Sequence, residues 1–140
     1  MELTEIMGTW GPNSFENDDA LDLVNFLVSG HDLQWIEDTF RAVLTNEDDI
    51  WDDDAQSGIA ASEVVALMRG NPADSLPESL IQWQKQHAFS ADDQLIRRAI
   101  QVTEKILAKS GLRDLWEEGG ESFATPWKAS VEDLLARLRS

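Results

Sequence analysis

The chain has 140 residues, with 27 acids against 11 lysines and arginines and a formal charge of −16, a balance that repels nucleic acid and attracts cations or a basic protein. It lacks cysteine, which excludes disulfides and thiolate metal sites and suits a reducing compartment. No apolar run reaches membrane-spanning length, and MELTEIMGTW lacks a basic region followed by an apolar stretch, so the expectation is a cytoplasmic protein with neither secretory signal nor membrane partner.

Hydrophobic residues make up 42% of the chain, enough for one globular core in a single domain spanning residues 1–140. The charge is unevenly spread. Thirteen acids and a single base, Arg41, lie between Glu16 and Asp54.

In chain order, the apolar spacing is helical nearly throughout. Asn17 is a good N-cap, with Asp18 and Asp19 at the positive end of the helix dipole. Ala20, Leu23, Val24, Leu27 and Val28 form the inner stripe, and Gly30 closes the helix. A second helix after Asp32 turns Ile36, Phe40, Val43 and Leu44 inward, with Glu37, Asp38 and Arg41 outward. TNEDDIWDDDAQSG reads as an acidic loop that Ile50 and Trp51 pin to the core.

A small and apolar third helix, Gly58 to Met68, can be approached from several sides and is expected to be central. Gly70 ends it and Asn71-Pro72 prevents its continuation. Pro77 opens a short fourth helix with Leu80, Ile81 and Trp83. Ser90-x-x-Asp93 resembles a capping box at the start of the longest helix, which Gly111 stops. A short segment, Leu112–Glu118, precedes a Gly119-Gly120 loop. Thr125 as N-cap and Pro126 at the first turn then start the last helix, with Trp127, Val131, Leu134, Leu135 and Leu138 inward. No strand pattern is evident, so the expected fold is all-α, a single compact bundle of about six or seven helices.

Few residues carry recognisable chemistry. No nucleophile motif, phosphate-binding Gly-rich loop or H-E-x-x-H occurs, so no catalytic residue is assigned and an enzyme is not expected. His31 and His87 read as surface or helix-end histidines. Arg97, Arg98, Lys105 and Lys109 read as a solvated face with some i,i+4 pairing rather than a nucleic-acid surface. Asp52 to Glu63 partly matches a twelve-residue calcium loop, but Ser57 occupies the position that needs Gly, and the second half reads as helix. The competing reading is an acidic helix entry. No cofactor or metal is assigned.

Met7-Gly8-Thr9-Trp10-Gly11, Phe15, Asn17-Asp18 and Ala20-Leu21-Asp22 form a pattern that resembles the opening of a bacterial family catalogued as domain of unknown function 4259. The Ala-rich segment Ala60–Gly70 and the closing Trp127, Leu134, Arg137 and Leu138 fit as well. Pro12-Asn13-Ser14 departs from the Gly expected before Phe15. Met1–Ile6 precedes the usual start, as an extension or an upstream start codon. The resemblance implies a bacterial cytosolic helical domain and no reaction. Local physics gives the motif a structural role: Trp10 and Phe15 staple the N-terminus to the bundle, Gly8 and Gly11 permit turns, and Asn17 caps the helix.

By class, the chain resembles small acidic immunity proteins of toxin–immunity pairs. That implies a basic protein partner, a toxin domain such as a nuclease, whose active site is covered. Glu37, Asp38, Glu47, Asp48, Asp49, Trp51, Asp52, Asp53 and Asp54 are the expected partner-binding residues, with Trp51 as an aromatic anchor among carboxylates. The alternatives are a carboxylate-rich metal-dependent enzyme or a helical protein binding calcium through Asp52–Glu63.

Overall fold

The computed structural model describes residues 9, 11–30, 33–47, 50–87 and 90–140. Seven helices run through them: α1 (Asp18–Val28), α2 (Gln34–Leu44), α3 (Asp52–Arg69), α4 (Glu78–His87), α5 (Asp93–Ala108), α6 (Gly111–Glu118) and α7 (Glu121–Arg139). Among the described residues the only β-pairing is an isolated antiparallel bridge between Thr9 and Asn17. The all-α expectation holds. No helix of the described residues is long and apolar enough to cross a membrane.

α3 is the hub, packed by α1, α2, α5, α6 and α7. Its composition explains this. Ala55, Gly58, Ala60, Ala61 and Ala66 are all buried, so neighbouring helices approach its axis from several directions. Gly70 closes α3 in the left-handed conformation (φ 95°), where its own N–H and that of Asn71 donate back to Leu67 and Ala66. The expected inner stripes of α1, α2 and α7 are largely buried, as are Trp83, Trp116 and Trp127.

Several boundaries differ from the sequence reading. α3 begins at Asp52, so half of the expected acidic loop is helix. Asp52, Asp53 and Asp54 occupy its first turn, where carboxylates favour the dipole. Ser90 is not a cap; Asp92 is, its carboxylate accepting from the Leu95 amide at 2.8 Å. α5 has 16 residues and is shorter than α3 with 18 and α7 with 19. Gly111 does not stop α5 but starts α6, capped by Ser110. Its N–H donates to the Ile50 carbonyl at 2.7 Å, an approach close enough that a Cβ there would sit 3.1 Å from that oxygen.

α7 likewise begins before Thr125, with Gly120 (φ 87°) as N-cap and Pro126 inside the helix. Pro126 removes one intrahelical hydrogen bond, which burial of Ala124 and Trp127 on either side offsets.

Two of the basic residues of α5, Arg98 and Lys105, tie it to α2, while Arg97 stays exposed as a solvated face would have it. Arg98 pairs with Glu37 of α2. The Lys105 ammonium donates to the Val43 and Asn46 carbonyls at 2.7 and 2.6 Å, satisfying the C-terminal end of α2. His87 lies at the end of α4, hydrogen-bonded to the Trp83 carbonyl and stacked on its ring, as expected of a helix-end histidine. His31 lies outside the described residues.

Candidate functional site

Two regions stand out. The first is built by helix starts. Asn17 caps α1 through its side-chain oxygen, accepting from the Ala20 amide at 2.8 Å, and so fixes Asp18 and Asp19 in the first turn. α3 packs against α1 with its own first-turn aspartates close enough to repel Asp19. Partial burial, and then repulsion from Asp53, Asp52, Asp22 and Asp18, raises the Asp19 carboxyl from its usual range to about 6. Burial and Asp53 raise Asp54 as well. Trp51, immediately before α3, is 72% exposed beside this cluster. Ile50 is buried and Trp51 is not, so only the first of the pair pins the chain to the core.

The partner-binding residues expected from sequence divide accordingly. Trp51, Asp52, Asp53 and Asp54 lie at the start of α3. Glu47 is exposed in the segment after α2. Asp48 and Asp49 lie outside the described residues. Glu37 and Asp38 are engaged on α2, Glu37 with Arg98 and Asp38 with Gln34 and, at 3.6 Å, Arg41. The structure also brings Asp19, with Asp18 and Asp22 beside it on α1, close to Asp52 and Asp53. Their sequence separation from Asp52 hid the juxtaposition.

A raised native-state pKa has a definite sign in stability. Between about pH 4 and pH 6 the folded protein holds a proton on Asp19 that the unfolded chain releases, so this group's penalty is absent below pH 4 and complete above pH 6. Asp19→Asn is therefore expected to stabilise the fold at pH 7 by about 1 kcal/mol, a figure already reduced for a carboxyl that solvent still reaches. The gain should vanish at pH 4, and urea titrations at the two pH values check it. An equal gain at both would contradict a charge origin.

The second region gathers around a buried carboxylate. Glu63, in the middle of α3, is 1% exposed and accepts two hydrogen bonds from the Arg137 guanidinium of α7, at 2.7 and 3.0 Å. Ser14 donates a third at 2.7 Å. Asp133 holds Arg137 from the other side at 2.8 Å. Partial burial opposes the Arg137 charge, but Glu63 and then Asp133 outweigh it and hold the group above its ordinary value. Two turns earlier on α3, Gln56 donates to the Thr9 hydroxyl at 2.9 Å. Gln56 and Glu63 thus receive the N-terminal loop from buried positions of α3.

That loop carries the family-like motif. Phe15 is buried, as a staple requires. Gly11 serves for room rather than for unusual backbone, because the Glu16 carboxylate lies where a Cβ would be. Gly8 and Trp10 lie outside the described residues. Beside the loop opens a groove of about 740 Å³, with Glu63 and Arg137 among its lining residues. The sequence held one signal for Glu63, a lone carboxylate in IAASEVVALM, and nothing that named Arg137 as its partner.

The calcium loop is overturned. Asp52 to Glu63 is continuous α-helix, so its side chains radiate instead of converging, and Gln56 and Glu63 are turned to Thr9 and Arg137. Among the described residues no three His, Cys, Asp or Glu side chains gather to hold a metal ion.

The family model described as domain of unknown function (DUF4259) matches residues 8–130. The chain belongs to this family. The match begins at the motif and ends before Asp133 and Arg137, so the residues that complete the buried network lie beyond the part the family model describes. Neither a curated protein nor a solved structure matches the chain.

Proposed function

We propose that this member of the family is a non-enzymatic binding protein for a basic protein partner, and specifically an immunity protein that covers the active site of a toxin domain. The observation that carries the reading is the convergence of two acidic helix entries, Asp18, Asp19 and Asp22 with Asp52, Asp53 and Asp54, beside an exposed Trp51. Carboxylates crowded closely enough to raise the pKa of Asp19 are costly to an isolated protein, and a cationic surface laid over them relieves that cost. Trp51 adds the large apolar contact that commonly anchors an interface. A field of this sign also speeds encounter with a basic partner and excludes nucleic acid from the surface it covers.

The test uses the protein encoded by the adjacent gene, purified with and without this chain. Asp52→Lys with Asp53→Lys is expected to slow association roughly tenfold or more at low salt and to flatten its salt dependence, while Trp51→Ala speeds dissociation. Stopped-flow binding at two ionic strengths reads both. A charge-reversed variant that binds and protects cells as well as the parent removes the site assignment. Failure of the pair to co-purify removes the partner.

A further inference from the structure

The groove beside the N-terminal loop supports an inference independent of the helix-entry patch. We infer that it is a recognition site for a lysine or arginine side chain presented by a peptide segment. It is lined by the loop Asn13–Glu16, by the segment 73–77 between α3 and α4, by Leu21 of α1, by Glu63 of α3 and by residues of α7. At about 740 Å³ it is in the range of sites that enclose organic ligands and far larger than a metal ion needs.

Charge selects the ligand. The carboxylates lining the groove are Glu16, Glu63, Asp74 and Asp133, and the only base among the described lining residues is Arg137. That guanidinium is already bonded to Glu63 and Asp133, which leaves an excess of acid. An anion entering here meets repulsion that Arg137 does not offset, whereas a cation is attracted. Leu21, Leu76 and Pro126 line the same space and offer apolar surface for the aliphatic stem of a long basic side chain, whose head then reaches the exposed Asp74 and Asp133. Apolar walls with an acidic rim distinguish this ligand from a bare ammonium ion, which would use the acid alone.

Calorimetry of the full chain with a capped hexapeptide, Ala-Leu-Arg-Ala-Lys-Ala, and with its Glu-substituted counterpart tests the inference. The basic peptide is expected to bind and the acidic one not. Asp74→Asn should weaken binding about fivefold. Ala129→Trp, at an exposed α7 position lining the groove, should weaken it more without changing charge. Asp52→Asn with Asp53→Asn should leave it within about twofold, because salt screens charges beyond the site. Circular dichroism confirms that each variant folds. Loss of binding in the Asp52/Asp53 variant with full binding in Ala129→Trp would place the peptide on the helix-entry patch and overturn the inference. So would equal binding of the acidic peptide, or no binding at roughly 1 mM. None of these results depends on the toxin partner, so the two proposals fail separately.

Discussion

Arg137→Ala is expected to be among the most damaging single substitutions in this protein. It leaves Glu63, buried in α3, with Ser14 as its remaining side-chain partner and no positive charge. Removing one member of a buried pair costs about 3–5 kcal/mol, which for a chain of this size lowers Tm by roughly 10–15 °C. The reverse change, Glu63→Gln, should cost distinctly less. The amide still accepts from Ser14, and Arg137 keeps Asp133 and partial access to water. Replacing both, Glu63→Leu with Arg137→Met, should recover most of the loss, since apolar side chains of similar volume often replace a buried pair at little cost. Thermal melts of the three variants check the ordering. A double variant no more stable than Arg137→Ala would mean that packing rather than charge isolation sets the cost.

The second large effect is steric. A Cβ on Gly58 would meet Ile106, Val102 and Val43 side-chain carbons at 3.0–3.2 Å, where α5 and α2 press against α3. For Gly58→Ala two effects oppose each other. Alanine gains about 1 kcal/mol of helix propensity, and the crowding of stiff β-branched neighbours takes back a similar amount. The expected change is therefore within about 1 kcal/mol of zero. Gly58→Leu places a whole side chain where no space exists and should destabilise by about 3 kcal/mol. Urea unfolding of both separates the two contributions. A tolerated leucine would show that α2 and α5 can retreat from the hub.

What the sequence disclosed follows from what kind of signal each feature leaves. Apolar periodicity and caps such as Asn17 and Gly70 are local, and they made the helices and the centrality of α3 readable. Helix starts were harder where two signals competed. Thr125-Pro126 is a strong start signature, yet α7 begins at Glu121 because burial of Ala124, with Phe123 partly buried before it, outweighs the bond that proline removes. The acidic run before Gly58 looked like a loop because aspartate is a poor helix former, but in a first turn the same charge is favourable. Trp51 stands exposed at the start of α3, so the expectation that it pins the chain to the core fails. The encounter of α1 and α3 entries, like the Glu63–Arg137 pair, joins residues far apart in the chain. Only tertiary structure holds that information.

The attachment of the N-terminal loop has a consequence for motion. Gln56 and Glu63 take the Thr9 and Ser14 hydroxyls in single hydrogen bonds that water can replace once the loop lifts. The faces that α3 presents to α1 and α2 are largely apolar, and water offers them no such substitute. Residues 11–16 are therefore expected to open to solvent without global unfolding, with Phe15 as the buried apolar side chain that opening exposes, and part of the groove lining belongs to that segment. Amide exchange of this loop should be governed by local opening, so a ligand seated in the groove would slow it and leave the exchange of α3 unchanged.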